Sequence, residues 1–122
     1  MRYSKNGMPV VFVIATDWKL RTAVRAELRE RAIDALGMDS AEDVGRALAG
    51  GAMPAVVVLE ANGELGGDAA IQSLAGRVPT VLVASRTETV ALPRVAAVFY
   101  RPVRIGEIVA KVSELLERGK VA

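Results

Sequence analysis

Four short runs of apolar residues, all rich in valine or alanine, carry the strongest strand signal in the chain. They extend over Pro9 to Ala15, Ala55 to Leu59, Thr80 to Ala84 and Ala96 to Tyr100. Apolarity in these runs is continuous rather than alternating, which is typical of strands inside a parallel sheet with both faces covered. A weaker strand is predicted near Ala32 to Gly37, where the single acid Asp34 is tolerable at a sheet edge.

Between the strands, apolar residues repeat at the three- and four-residue spacing of a helix face. Such stripes run from Leu20 to Leu28, Ala41 to Leu48, Ala70 to Leu74 and Ile105 to Leu116. A further helix over Arg86 to Val95 should be short, because Pro93 ends it. Ser40 with Asp43, and Ser85 with Glu88, have the spacing of a capping box. Gly50 and Gly51 are predicted to end the second helix.

Five strands alternating with five helices predict the fold class. Right-handed crossovers place helices on both faces of one sheet. We therefore predict a single α/β domain over residues 1–122, with its core at about 8–118 and one doubly wound, five-stranded parallel sheet. Because ligands of such sheets bind beyond the carboxyl ends of the strands, residues directly after the strands are the candidate site.

Composition removes most enzyme chemistry. The chain contains no histidine and no cysteine, so it has no imidazole base, thiol nucleophile, disulfide or zinc site built from these residues. Its net charge of +2 is small, and its basic residues are interspersed with acids, which does not indicate nucleic-acid binding. The apolar run from Met8 to Ala15 is too short to span a membrane. We expect a cytoplasmic protein that is not an enzyme, carries no cofactor and binds neither nucleic acid nor membrane directly.

Prolines and one basic residue next to the predicted strands give the pattern a family resemblance. Pro54 opens the third strand, Pro79 opens the fourth, and Arg101 followed by Pro102 comes after the fifth. With these residues and its alternating elements, the chain resembles, over nearly its whole length, the receiver domains of bacterial response regulators. The resemblance implies a flavodoxin-like, CheY-like fold and a cis peptide bond between Arg101 and Pro102.

Receivers accept a phosphoryl group on an aspartate that ends the third strand, using Mg²⁺ held by two acids after the first strand. In this sequence the phosphoacceptor position falls on Glu60. The two acidic positions fall on Ala15 and Thr16, with Asp17 one residue further. Alanine supplies no oxygen ligand for Mg²⁺, so the resemblance implies a degenerate receiver with no metal site.

The remaining receiver positions also depart from the family pattern. The hydroxyl position falls on Ala84, with Ser85 next to it, and the aromatic switch position falls on Val98. The lysine position falls on Arg101, which can meet a carboxylate in a two-pronged contact that lysine cannot make. Together these departures predict that the switching chemistry of the family is absent.

Several of these residues have two open interpretations. Glu60 is either a built-in mimic of the charged, phosphorylated state, paired with Arg101, or a solvated loop acid. Asp17 is favoured as the N-cap of the first helix over a metal ligand, and Ser85 either caps the next helix or binds phosphate. The glycine-bearing loop from Asn62 to Gly67 is better explained as a flexible connection than as a phosphate cradle. Trp18 is expected to pack over the sheet edge, with a contact at the top of the sheet as the alternative.

The leading functional hypothesis is a phosphorylation-independent protein-interaction module of two-component signal transduction. Its partner would bind the face formed by the predicted fourth helix, the fifth strand and the fifth helix, which such receivers commonly use. The alternative is a small-molecule or nucleotide-binding domain that uses the crevice around Asp17, Glu60 and the glycine-bearing loop. An enzyme is the least supported class, because histidine, cysteine and the second acid are missing.

Overall fold

The computed structural model describes residues 2–4, 7–85, 92 and 94–121, with backbone alone at 63, 120 and 121. Its elements, in chain order, are β1 (Val10–Ile14), α1 (Trp18–Glu30), β2 (Asp34–Met38), α2 (Ala41–Ala49), β3 (Val56–Glu60), α3 (Gly63–Gly66), α4 (Ala69–Arg77), β4 (Thr80–Ala84), β5 (Ala97–Tyr100) and α5 (Ile105–Val121). Most of the helix predicted over Arg86 to Val95, including Glu88 of the predicted Ser85 cap, lies outside the described residues.

The five strands form one parallel sheet in the order β2-β1-β3-β4-β5. This order places β3 at the centre, with β1 and β4 on either side of it and β2 and β5 at the edges. The predicted doubly wound α/β fold with a flavodoxin-like strand order is therefore confirmed. The weak strand predicted near Ala32 to Gly37 is the edge strand β2, which begins two residues later.

Alternate residues of the strands point into two apolar clusters, one on each face of the sheet. Val11 and Val13 of β1 pack with the buried stripes of α1 and α5. Phe12 and Ile14 pack on the opposite face with those of α2 and α4. Every residue of β1, β3 and β4 is buried, as their continuous apolar runs predicted.

The strand β5 departs from that prediction. Its burial alternates, with Val98 41% exposed and Tyr100 48% exposed, while Phe99 packs against the cluster under α1 and α5. The expectation that both faces of this run would be covered was wrong. Among the described strands β5 pairs with β4 alone, so it is an edge strand. The sequence of a short apolar edge strand does not show whether helices cover both of its faces or only one.

Both ends of α2 agree with the capping residues predicted from the sequence. The Ser40 hydroxyl accepts a hydrogen bond from the Asp43 backbone N–H at 3.1 Å. Gly50 is the C-cap, and Gly51 follows with a φ of 96°, a conformation that glycine adopts without steric cost. Both the start and the end of this helix are therefore confirmed.

The loop from Asn62 to Gly67 was predicted to be a flexible connection, but the structure shows an ordered turn there. It forms the single turn of α3, because the Asn62 side-chain oxygen accepts a hydrogen bond from the Leu65 N–H at 2.9 Å. Leu65 is 1% exposed and belongs to the cluster under α2 and α4. An isolated leucine among glycines gave no periodic signal from which this turn could have been predicted.

Arginines of α1 cover the open edge of β2. The Asp34 N–H faces β1 through its bond to Pro9, so the carbonyl of the next residue, Ala35, faces outward. That carbonyl accepts hydrogen bonds from Arg25 Nε at 3.1 Å and from the Arg29 guanidinium at 3.3 Å. A Cβ at Gly37 would lie 2.8 Å from Arg25 Cδ, so glycine at this position lets the arginine lie across the strand.

Candidate functional site

The carboxyl ends of β1, β3 and β5 bring three separate parts of the sequence together. Thr16 and Asp17 follow β1, Glu60 is the last residue of β3, and Arg101 follows β5. Glu60 is 8% exposed, so its carboxylate is largely removed from solvent. The interpretation of Glu60 as a solvated loop acid is therefore wrong.

One carboxylate oxygen of Glu60 is held by the loop that leads into α1. Its Oε1 accepts hydrogen bonds from the Thr16 N–H at 2.8 Å, the Thr16 hydroxyl at 2.7 Å and the Asp17 N–H at 3.2 Å. Three donors directed at one oxygen form a small anion-binding site. The protein's own glutamate fills this site.

The other carboxylate oxygen of Glu60 is held by Arg101. One nitrogen of the guanidinium lies 2.6 Å from Glu60 Oε2, and the other lies 3.2 Å from Asp17 Oδ2. The predicted ion pair between Glu60 and Arg101 is confirmed, and the same arginine also binds the second acid. The Arg101–Pro102 peptide bond is cis, as the family resemblance implied.

Asp17 has two roles at once. Its Oδ1 accepts from the Lys19 and Leu20 N–H groups at the start of α1, which confirms the predicted N-cap. Its Oδ2 takes part in the contact with Arg101. The hydrogen bond from the Leu20 N–H is the largest cause that lowers the pKa of this carboxyl, and the Arg101 guanidinium lowers the pKa further. Both oxygens are thus engaged within the protein.

The remaining receiver-like positions lie near the ends of the same strands. Ala15 and Ala84 are buried in the two apolar clusters, and Ser85 is half-buried directly after β4. Val98 lies on the exposed face of β5. The backbone carbonyl of Ala84 accepts a hydrogen bond from the Arg101 N–H at 2.8 Å. This bond fixes the backbone of Arg101 beside the end of β4.

Asn62 belongs to the cluster, although its sequence context predicted only a loop residue. Its side-chain nitrogen donates to the Thr16 hydroxyl at 3.3 Å, while its oxygen caps α3. Its place two residues after Glu60, at the carboxyl end of the central strand, was the signal that could have identified it.

The residues around Glu60 do not fit the Mg²⁺ that the family resemblance would imply. Magnesium requires several oxygen ligands in octahedral geometry. Ala15 offers no side-chain oxygen, Thr16 directs its hydroxyl at Glu60, and the carboxylates of Asp17 and Glu60 already hold one guanidinium. Over the described ranges, no group of three acidic side chains is placed to hold a metal ion.

An open cleft of about 670 Å³ adjoins the cluster, between the start of α1 and the segment that leads into α5. It is lined by Asp17, Lys19, Leu20, Ala23, Arg101, Pro102, Val103 and Ile105. Glu60 and the glycine-bearing loop, which the predicted crevice would include, do not line this cleft. Trp18, the first residue of α1, is 62% exposed, and the expectation that it packs over the sheet edge was wrong.

No helix in the part of the chain that the structure describes is long and apolar enough to cross a membrane. Comparison of the sequence with protein-family models and with curated proteins finds no match. Evidence from relatives therefore comes from structural similarity alone.

Several solved structures that share this fold are receiver domains or response regulators. The chain is similar to a CheY-like receiver domain from Methanospirillum hungatei, with a TM-score of 0.74 and 15% identity over 93% of this chain and 98% of the other. A receiver protein from Burkholderia phymatum has a TM-score of 0.71 and 22% identity, covering 89% of this chain and 95% of its own. The amino-terminal domain of a response regulator from Carboxydothermus hydrogenoformans has a TM-score of 0.72 and 10% identity, covering 92% and 97%. The chain thus has the CheY-like form of the flavodoxin-like fold.

Proposed function

We propose that this chain is a degenerate receiver module of two-component signalling, which binds a protein partner in one conformation that needs no phosphorylation. The observation that carries the proposal is the occupied anion site. Glu60 stands at the end of the central strand, where the receivers that this chain resembles carry their phosphoacceptor, and its carboxylate already holds the donors of Thr16, Asp17 and Arg101. A negative charge is therefore built in at this position.

Two further features support a single state. The receiver switch positions carry Val98 and Ala84, whose side chains are neither aromatic nor hydroxyl-bearing. The Arg101 guanidinium joins the ends of β1, β3 and β5 through Asp17 and Glu60. Such a bridge restrains the loops at the carboxyl end of the sheet relative to one another.

The proposed partner surface includes the exposed side chains of β5 and the outer face of α5, together with the segment between β4 and β5. In its described part, Val98 and Tyr100 supply apolar area. On α5, Glu114 pairs with Lys111 at 3.0 Å and with Arg118 at 2.5 Å. A partner for this surface would be a protein with an apolar centre and mixed charges at its rim. The proposal places the module in the cytoplasm and gives it no enzymatic activity.

The test is incubation with acetyl phosphate and Mg²⁺, followed by intact-mass spectrometry under mild conditions. We expect no phosphoryl adduct on this chain, and an adduct on a phosphorylatable receiver treated in parallel. The matched variant replaces Ala15, Thr16 and Glu60 by aspartate, which restores the acidic side chains of the family. An adduct on the unaltered chain, at Glu60 or Asp17, would overturn the proposal.

The cleft beside Asp17 and Arg101 favours one second candidate, a site for a small molecule or nucleotide. Its volume of about 670 Å³ falls within the range of ligand pockets. Of the three charged side chains that line it, Asp17 and Arg101 are, however, already paired with each other. Thermal unfolding in the presence of nucleotides separates the candidates, because only a ligand site predicts a concentration-dependent rise in the melting temperature.

A further inference from the structure

Two clefts lie side by side at the amino ends of the strands, opposite the Glu60 cluster. The first, of about 590 Å³, is lined by Arg77, Val78, Pro79, Arg94, Val95 and Ala96. The second, of about 420 Å³, is lined by Arg2, Tyr3, Ala55, Pro79, Leu115, Leu116, Arg118 and Gly119. Pro79, which is exposed directly before β4, belongs to both. We call these two adjoining clefts together the basal groove.

The basal groove is positively charged. Its lining contains four arginines and no acidic residue. Arg118 pairs with Glu114 on α5. Within the described part of the chain, no ion pair joins Arg2, Arg77 or Arg94 to a carboxylate. This arrangement contrasts with the opposite end of the sheet, where Arg101 is shared by two acids.

The groove also has an apolar floor and a defined edge. Val95 is half-buried beside Pro79 in the first cleft, and Leu116 is 9% exposed in the second. The amino-terminal segment folds back on the sheet, because the Val10 N–H donates to the Arg2 carbonyl at 2.8 Å and Tyr3 pairs with Pro9. These contacts hold Arg2 and Tyr3 at the rim of the groove, where 44% of the surface of Tyr3 is exposed.

The dimensions suit an extended peptide. Ala55, Pro79 and Ala96 precede the neighbouring strands β3, β4 and β5. Strands are about 4.8 Å apart, so the row of strand ends spans roughly 10 Å, and the flanking arginines extend it. An extended chain rises about 3.3 Å per residue, so about four to six residues would cross the groove.

We propose that the basal groove binds a short acidic peptide segment of a protein partner. Carboxylates near both ends of the segment would meet Arg2 and Arg118 on one side of Pro79, and Arg77 and Arg94 on the other. An apolar residue between them would contact the floor. Pure phosphate recognition would leave that floor unused, and so a protein segment fits the surface better than a nucleic-acid backbone.

The basal groove shares Arg118 and the segment from Arg94 to Ala96 with the partner face of the proposed function, but it is separate from the Glu60 cluster. The groove lies at the amino ends of the strands, whereas Glu60 and Arg101 lie at the carboxyl ends. Binding in the groove should therefore be unchanged by Glu60→Gln, and a failure of either proposal leaves the other standing.

The experiment measures fluorescence polarisation of a labelled seven-residue peptide with a central leucine flanked by aspartate and glutamate. The same peptide with asparagine and glutamine in place of the acids is the ligand control. We expect saturable binding of the acidic peptide, at least about tenfold weaker binding of the amide peptide, and weakening as salt rises, because exposed charge pairs are screened.

The protein variants localise the binding. Arg77→Glu with Arg94→Glu should weaken the acidic peptide at least about tenfold, because attraction becomes repulsion. Lys19→Glu with Arg104→Glu makes the same change in net charge at the carboxyl end of the sheet and should bind as the unaltered chain does. Circular dichroism confirms that each variant is folded.

Three outcomes would overturn the proposal. The first is absence of saturable binding to the acidic peptide. The second is an equal loss in the two double variants, which would mean attraction to net charge alone. The third is tighter binding of a single-stranded oligonucleotide or of phosphatidylserine vesicles than of the peptide, which would assign the groove to nucleic acid or to a membrane surface.

Discussion

The guanidinium of Arg101 lies 2.6 Å from Glu60 Oε2, although β4 stands between the strands that carry these two residues. Alternate strands are roughly 10 Å apart, so only a long side chain spans this distance. Arginine then offers a second donor for Asp17, which lies 3.2 Å away. Arg101 therefore connects the ends of three strands, β1, β3 and β5, instead of two.

Charge removal at Glu60 should weaken the fold without abolishing it. In Glu60→Gln the side-chain oxygen can still accept from Thr16 and Asp17, but the attraction to Arg101 is lost. With 10% exposure at the Glu60 side chain and 36% at Arg101, we expect a decrease of about 1–2 kcal/mol in the free energy of unfolding, measured by urea denaturation. Glu64→Gln, at an exposed position on α3, should change it by less than about 0.5 kcal/mol. Equal effects would contradict the importance of the cluster.

Stability conferred by Asp17 should depend on pH. The Leu20 N–H and the Arg101 guanidinium lower the pKa of Asp17 from its ordinary value of 3.8. A lowered pKa in the folded state stabilises the protein above the unfolded pKa, and this contribution is lost as pH falls through the folded pKa. Asp17→Asn keeps the capping oxygen but removes the charge. The stability difference from the unaltered chain should therefore be largest near neutral pH and should shrink below about pH 3.8.

Urea denaturation at pH 7 and at pH 3 measures this effect. Asp39→Asn, which removes an exposed carboxylate outside the cluster, controls for the loss of an acid in general. A difference between Asp17→Asn and the unaltered chain that stays constant over this range would show that the charge of Asp17 contributes nothing.

Removal of the arginines along β2 should expose a sheet edge. Arg25→Ala combined with Arg29→Ala leaves the outward carbonyl of Ala35 without its two donors. We expect a loss of about 1 kcal/mol in stability and concentration-dependent self-association, because an uncovered edge can pair with another chain. Sedimentation velocity measures the association. Arg46→Ala on α2 is the control, and a double variant that stays as monomeric as this control would contradict the prediction.

The short helix α3 should contribute to the core. Leu65→Ala removes a side chain that is 1% exposed, and such truncations cost about 2–5 kcal/mol. Thermal or urea denaturation measures the loss, with Glu64→Ala in the same turn as the exposed control. A loss below about 1 kcal/mol would support the flexible connection that the sequence had suggested.

Periodicity and strand-end logic predicted much of the candidate site. Continuous apolar runs placed Glu60 and Arg101 directly after strands of one sheet, and the family resemblance implied that these strands lie near each other. Asp17 stood where a helix cap was required. Asn62 was missed as a member of the cluster because its contact with Thr16 joins residues 46 positions apart. Such contacts depend on side-chain conformation, which the apolar pattern does not specify.

The sequence by itself determined the order of strands and helices and their parallel arrangement, because these follow from local spacing and residue type. Tertiary structure alone decided that Glu60 is buried under three donors, that one face of β5 and Trp18 are exposed, and that arginines from both ends of the chain line one groove. Each of these depends on which distant segments the strand order brings together, and hydrophobic periodicity carries no information about the side-chain positions that result.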